Sequence, residues 1–83
     1  MWIRSQDGLG LYKVDMAIVE YDATGAGINT YHGGEWVSLG EYTSEFEALK
    51  VLDLIVTQHD MDVYEHGPEG MRVFQMPKKG WTA

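Results

Sequence analysis

Leu39-Gly-Glu-Tyr-Thr-Ser-Glu-Phe-Glu-Ala-Leu-Lys-Val-Leu-Asp-Leu-Ile55 is the stretch that decides the fold of this chain. It predicts the end of a β-strand, then a capped helix start, then an apolar helical stripe. Ser44 and Glu47 match a capping box, in which each side chain satisfies the backbone N–H group of the other residue. Thr43 is a competing cap one residue earlier. The pattern therefore predicts a helix that begins at this cap and continues to Ile55 or beyond.

The predicted helix has one apolar side and two apolar residues that fall outside it. At about 100° per residue, a stripe roughly 160° wide contains Ala48, Leu49, Val51, Leu52, Ile55 and Val56. A stripe of this width is typical of a helix that packs on a sheet. Phe46 and Leu54 fall on the polar side, so they predict an oligomer interface with a second copy of the chain. The alternative, two singly exposed apolar residues, is common and stays open.

Before the helix, β-forming runs alternate with glycine-rich turns. Turn chemistry is supplied at Asp7-Gly8, at Thr24-Gly25-Ala26-Gly27 and at His32-Gly33-Gly34, because glycine reaches positive φ without steric cost. The order predicts an α+β fold, in which an antiparallel β-meander is packed by one amphipathic helix. The meander is predicted to contain about five short strands, at Trp2–Ser5, Leu11–Val14, Met16–Tyr21, Ile28–Tyr31 and Trp36–Leu39.

Beyond the helix, the polar run His59–Gly70 predicts a loop, with a small strand at Asp62–Tyr64 as an option. Met71–Met76 is predicted to be a returning C-terminal strand, which Pro77 ends. We therefore predict a single domain over residues 1–77 and a tail over residues 78–83.

Composition narrows the class of protein. A chain of 83 residues has a small core, and the absence of cysteine removes disulfides and thiolate metal sites, so oligomerisation is the remaining means of stabilisation. No apolar run approaches the roughly 20 residues of a membrane span, and no charged segment precedes an apolar one. We expect a cytoplasmic protein.

The net charge of −7 opposes binding to duplex nucleic acid. It indicates either a solubilising surface or a face directed at a basic protein.

Motifs for catalysis and for metal binding are missing from the sequence. Neither a dinucleotide-binding nor a P-loop glycine pattern occurs, and His32, His59 and His66 lack the spacing of a zinc motif. No nucleophile, base and orienting acid can be grouped. The sequence therefore predicts no enzyme, no cofactor and no metal site.

Basic residues are scarce, and two of them lie beside aromatic rings. Arg4 follows Trp2 on the first predicted strand, and Arg72 precedes Phe74 on the last. A guanidinium group binds phosphate bidentately and an aromatic ring stacks on a base, so these residues predict a nucleotide pocket. Ordinary surface charge is the alternative. Polar neighbours that could contact base edges are Ser5, Gln6, Asn29 and Gln75.

Three blocks of the sequence carry a resemblance to known proteins. They are Met1-Trp-Ile-Arg-Ser-Gln-Asp-Gly8, then Leu39-Gly-Glu-Tyr-Thr43 leading through Ala48-Leu49 to Val51-Leu-Asp53, then Val73-Phe-Gln-Met-Pro77. The blocks resemble a family of small, mostly uncharacterised proteins encoded by phages and prophages of Gram-positive bacteria. In layout the chain is also similar to phage anti-defence sponges, especially the first Thoeris anti-defence family. That similarity implies an oligomer that sequesters cyclic nucleotide or cyclic ADP-ribose signals without cleaving them.

The predicted function is therefore that of a phage-encoded accessory protein, which sequesters a small nucleotide immune signal in the cytoplasm of an infected bacterial host. It would act as a homo-oligomer, without membrane or duplex nucleic acid as a partner. The alternative is an acidic interaction module that inhibits a host defence or regulatory protein. No sponge pocket residue can be matched to this chain. The predicted ligand-binding residues therefore come from residue chemistry: Arg4, Arg72, Trp2, Phe74, Gln6 and Gln75.

Overall fold

Two small β-sheets and one helix make up the part of the chain that the structure describes. The computed structural model describes residues 1–61 and 73–81, without the side chains of residues 60 and 61. Within those ranges the sheets have the strand orders β2-β1-β6 and β3-β4-β5, which confirms the predicted α+β class. The elements are β1 (Trp2–Arg4), β2 (Leu11–Lys13), β3 (Ile18–Asp22), β4 (Gly25–His32), β5 (Glu35–Tyr42), α1 (Glu45–Met61) and β6 (Val73–Gln75).

The antiparallel meander contains three strands instead of about five. β3, β4 and β5 are joined by hairpins, whereas β1 pairs antiparallel with β2 and parallel with the returning β6. β4 begins at Gly25, inside the predicted turn, and α1 extends through the start of the predicted loop. The optional strand at Asp62–Tyr64 and the residue Arg72 lie outside the described residues.

The hairpin turns follow from local chemistry. Gly33 and Gly34 join β4 to β5 with φ values of 61° and 86°, the pair of positive values that a type I′ turn needs and glycine adopts without strain. At the β3–β4 turn, the Asp22 carboxylate accepts hydrogen bonds from the backbone N–H of Thr24 at 2.8 Å and from its hydroxyl at 2.6 Å. Both hairpins are therefore specified by residues within the turns or directly beside them.

The start of α1 is capped largely as predicted. The Glu47 N–H donates to the Ser44 hydroxyl at 3.1 Å, which is one half of the capping box. The return bond differs, because the Glu47 carboxylate accepts from the backbone N–H of Thr43 at 3.0 Å. Glu47 is also buried, with 2% of its surface exposed. The cap therefore brings a carboxylate into the interior.

The buried side of α1 is rotated from the predicted stripe. Ala48, Val51 and Ile55 are buried as predicted, while Leu49 and Val56 are exposed, so the prediction that these two lie in the core is wrong. The reason is Glu47, which lies about 100° around the helix from Ala48, on the opposite side from Leu49. Burying Glu47 for its hydrogen bonds turns Leu49 and Val56 outward. The core consists of Ile3, Ala26, Ile28, Leu39, Tyr42, Ala48, Val51, Ile55 and Met76.

Three polar side chains tie the two sheets, the helix and the C-terminal tail together, and we call Gln6, Tyr42 and Glu47 the junction. The Gln6 amide donates to Glu41 O at 2.8 Å and to Pro77 O at 3.0 Å, and it accepts from the Glu41 N–H at 3.0 Å. The Tyr42 hydroxyl donates to the same Pro77 carbonyl at 2.9 Å. Glu47 accepts from the Gly80 N–H at 3.0 Å, so the tail is fixed at Gly80 and the chain immediately before it is fixed at Pro77.

Burial, and secondarily the negative charge of Glu47, raises the pKa of the Tyr42 hydroxyl above its usual range. This phenol therefore remains a neutral donor to Pro77 throughout the physiological pH range.

Among the described residues, α1 included, no helix has the length and apolar character needed to cross a membrane.

Candidate binding face of the antiparallel sheet

The β3-β4-β5 sheet is covered by α1 on one side only. Strand alternation directs Ala26, Ile28 and Thr30 of β4 toward the helix, and all three are buried. The residues between them point the other way. We call this other side the outer face; its main residues are Glu20, Asp22, Gly25, Gly27, Asn29, Tyr31, Trp36, Ser38 and Glu41.

A β-bulge at Leu39 determines which residues of β5 belong to the outer face. Asn29 pairs with Ser38 whereas its neighbour Ile28 pairs with Gly40, so Leu39 is an extra residue in β5. The extra residue shifts the alternation of inward-facing and outward-facing side chains in the part of β5 that follows Ser38. As a result Glu41 points outward beside Ser38, and Tyr42 points into the core.

The outer face contains a cleft of 390 Å³ whose floor lacks side chains. Gly27 lies on the central strand between Glu20 of β3 and Glu41 of β5. Because neighbouring strands lie about 4.8 Å apart, the Cα atoms of these two acidic residues are separated by about 10 Å. The lining residues are Glu20, Tyr21, Asp22, Thr24, Gly25, Ala26, Gly27, Asn29, Ser38, Glu41, Tyr42 and Lys79.

The charges of the cleft are predominantly negative. Among the described residues of the lining, Glu20, Asp22 and Glu41 contribute three carboxylates, and Lys79 is the one basic residue. The hydroxyl and then the backbone N–H of Thr24 lower the pKa of Asp22, so this carboxylate is ionised at neutral pH. The Asn29 amide donates to Glu20 at 3.1 Å. Such a cleft favours cationic or hydrogen-bond-donating groups over phosphates.

An exposed aromatic pair lies at the β4–β5 hairpin end of the outer face. Tyr31 and Trp36 are cross-strand partners, with ring centroids 5.3 Å apart and an angle of 74° between the ring planes. This is an edge-to-face contact. About half of each side chain is exposed, 52% for Tyr31 and 54% for Trp36. The pair offers rigid apolar surface beside the acidic cleft.

The predicted nucleotide residues are only partly brought together. The parallel register pairs Arg4 with Gln75, and alternation puts Trp2 on the same side of this sheet. Phe74 pairs with Ile3 on the opposite side and packs against the core. Arg72 lies outside the described residues. Trp2, Arg4 and Gln75 therefore share a face that excludes Phe74.

Hydrogen bonds already use the amides that were predicted to contact a base. Gln6 bonds to Glu41 and Pro77 in the junction. The Gln75 amide donates to Ser5 O at 3.2 Å and to Met76 O at 3.1 Å. The Ser5 hydroxyl donates to Asp7 at 2.6 Å. In this structure these polar groups stabilise the protein itself.

The predicted oligomer residues are both exposed on α1. Phe46 is 67% exposed and Leu54 is 38% exposed. The Lys50 ammonium nitrogen lies 5.0 Å from the centroid of the Phe46 ring, which gives that ring a cation–π partner within the same helix. The interface at Phe46 and Leu54 stays a prediction.

The outer face is the feature that residue-by-residue motif searching missed. One signal was available: Tyr31 and Trp36 are placed symmetrically around Gly33-Gly34, which predicts a cross-strand pair across a type I′ turn. No sequence pattern predicts the bulge at Leu39, so the sequence does not indicate that Glu41 points outward.

Within the described ranges, no group of three or more His, Cys, Asp or Glu side chains is arranged to hold a metal ion. Comparison of the chain with protein-family models, with curated proteins and with solved structures finds no match. The outer face, argued from its own geometry, is thus the candidate functional site.

Proposed function

We propose that this protein is a non-catalytic interaction module that binds a basic surface of another protein through the outer face. The observation that carries the proposal is the exposed Tyr31–Trp36 pair beside a cleft walled by carboxylates. Tyrosine and tryptophan are enriched among the residues that dominate binding energy at protein interfaces. The pair supplies the apolar anchor of the proposed interface.

The carboxylates of the outer face supply its charge selectivity. Glu20, Asp22 and Glu41 are exposed on the outer face, in a chain whose net charge is −7. Complementary charge increases the association rate and excludes acidic competitors more than it increases affinity. Binding should therefore weaken as ionic strength rises, because exposed pairs are screened over a Debye length of about 10 Å at 0.1 M salt. The phage-family resemblance would make the partner a host defence or regulatory protein.

The test is a comparison of binding by matched variants. Immobilised protein is used to capture partners from bacterial lysate, the captured protein is identified and purified, and its affinity is then measured by calorimetry. Trp36→Ser should weaken binding at least tenfold, about 1.4 kcal/mol, because it removes the anchor. Phe46→Ser is the control, since it removes from the helix an aromatic ring that is even more exposed than Trp36.

Two further variants test the acidic cleft. Gly27→Thr should block its floor, and the fold accommodates the change because an added Cβ would lie 3.6 Å from Gly40 O, an ordinary contact distance. Glu41→Lys should weaken binding, with Asp53→Lys on the exposed side of α1 as the charge-matched control. Equal affinities for all variants, or capture that is insensitive to salt, would contradict the proposal.

Nucleotide sequestration is the second candidate, and the observation that favours it is the shared face of Trp2 and Arg4. Purified protein would be heated with cyclic dinucleotides, cyclic trinucleotides and cyclic ADP-ribose isomers. A ligand at 100 times its Kd should add roughly 2.7 kcal/mol of stability. The Arg4→Ala variant should lose this gain while Lys50→Ala keeps it. The absence of a shift with every ligand in the wild-type protein would reject this candidate.

A further inference from the structure

The β3 strand has a regular backbone edge with no partner strand among the described residues. It lies at the end of the order β3-β4-β5, and its five residues pair with β4 in an unbroken register. Proteins commonly protect such edges with bulges, prolines, very short strands or charged side chains. Of these features β3 has only the charges of Glu20 and Asp22, which disfavour an acidic strand and leave the backbone edge open to a basic one.

The opposite edge of the same sheet is different. The Gln6 backbone N–H donates to Leu39 O at 2.8 Å, and the Gln6 side chain bonds to both backbone groups of Glu41. The bulge at Leu39 also interrupts the regular spacing of β5. Strand addition at this end of the sheet is therefore blocked along part of β5, which leaves β3 as the edge suited to a partner.

The backbone of β3 provides the means of binding. In an antiparallel pair, alternate residues direct their N–H and C=O groups away from the partner strand. An extended peptide can bond to those groups and become an additional strand, and its side chains then determine specificity.

The side chains of β3 define the kind of peptide that fits. Glu20 and Asp22 are exposed on the outer face, whereas Val19 and Tyr21 point to the other side of the sheet. Val19 packs against the core and Tyr21 is exposed. Ile18, the partner of Asn29, lies on the same face as these two carboxylates. A strand added beside β3 would therefore place alternate residues along Ile18, Glu20 and Asp22, and the intervening residues against apolar surface.

A second copy of the chain does not satisfy this pattern. Full antiparallel overlap of two β3 strands would place Glu20 opposite Glu20, and like charges directly opposite one another are destabilising. A segment with basic residues at alternate positions removes the repulsion and adds ion pairs.

We propose that the free edge of β3 binds an extended segment of the partner protein by β-strand addition, with Lys or Arg residues of that segment on the outer face and apolar residues between them. This inference rests on the proposed function, because it specifies how the basic partner is bound. It extends the binding surface from the Tyr31–Trp36 pair and the cleft to the edge of the sheet.

The probe is a short peptide of alternating Lys and Val residues, used with two modified forms. One form is N-methylated at every Lys and the other at every Val, so that each lacks the N–H groups of one side of the strand. Strand addition requires only one of those sides. We expect one form to bind within about threefold of the parent peptide. The other form should bind at least about tenfold more weakly than the parent, a loss of about 1.4 kcal/mol.

Hydrogen exchange and a charge variant complete the test. Peptide binding should slow exchange at alternate amides of β3 and leave β5 unchanged. Glu20→Lys should weaken binding several-fold, because it replaces an exposed ion pair with a repulsion, while Asp53→Lys should have little effect. Equal behaviour of the two N-methylated peptides, or unchanged exchange in β3, would overturn the inference.

The two proposals fail in distinguishable ways. If a folded basic partner binds in a Trp36-dependent manner but the N-methylated peptides behave alike, strand addition is wrong and the proposed function stands. If neither a folded basic partner nor the peptide binds, the proposed function itself is wrong and the edge inference falls with it.

Discussion

The junction and the outer face are both polar, but their side chains are used in opposite ways. At the junction, Gln6, Tyr42 and Glu47 bond to backbone groups of the same chain. On the outer face, Glu41, Tyr31 and Trp36 lie exposed. The difference teaches that polarity alone does not identify a binding residue; what matters is whether its hydrogen bonds are already made.

Replacing Glu47 should produce the largest effect on stability. Glu47→Ala leaves the N–H groups of Thr43 and Gly80 without their buried acceptor. Hydrogen bonds to a charged group contribute about 1.5–3 kcal/mol each, so we expect a loss of about 3 kcal/mol in the free energy of unfolding. Urea denaturation measures it. Glu45→Ala, an exposed acid in the same helical turn, should cost well under half as much. Similar losses for both variants would contradict the special role of Glu47.

Removing the Gln6 side chain should have the next largest effect. Gln6→Ala breaks its side-chain bonds to Glu41 and Pro77, which join the two sheets and the tail. At about 1 kcal/mol per bond, discounted for partial exposure, we expect a loss of about 2 kcal/mol. Binding of the basic partner should be unchanged. Tyr42→Phe is a graded comparison, because it removes one bond to Pro77 and should cost about 1 kcal/mol.

Variants of the aromatic pair should lose partner binding and keep their stability, which is the reverse of what we expect for the junction variants. Trp36→Ser removes a cross-strand contact with Tyr31, which contributes at most about 1 kcal/mol of stability. Denaturation should therefore report a small change, while calorimetry reports the loss of partner binding. A loss of stability as large as that of Gln6→Ala would show that the pair stabilises the fold, as the junction does, instead of serving to bind a partner.

Asp22 should give the smallest effect, visible only as a pH dependence. The hydrogen bonds from Thr24 lower the folded-state pKa of Asp22 below the unfolded value of about 4. A lowered carboxylate pKa contributes stability that is present above the unfolded pKa and is lost as pH falls through the folded pKa. Asp22→Asn should therefore flatten the decline in stability below about pH 4. Denaturation curves across that range in both proteins check the expectation, and parallel curves would refute it.

The sequence predicted the fold class better than the site. The Ser44 cap and the glycine turn at Gly33-Gly34 are local patterns, and both are present in the structure, although Glu47 returns its bond to Thr43. Arg4 and Phe74 were grouped because each lies beside a ring or a guanidinium group in the sequence. The parallel pairing of β1 with β6 places them on opposite sides of the sheet, and no local pattern specifies that pairing.

By itself, the sequence determined the elements that depend on near neighbours: the helix start, the hairpin turns and the alternation of the strands. Only the tertiary structure decided that Gln6 bonds to Pro77, 71 residues away, and that Glu47 turns inward to reach Gly80. It also decided, through the bulge at Leu39, that Glu41 joins the outer face. Long-range hydrogen bonds set these positions, because a buried donor or acceptor must find a partner wherever the folded chain supplies one.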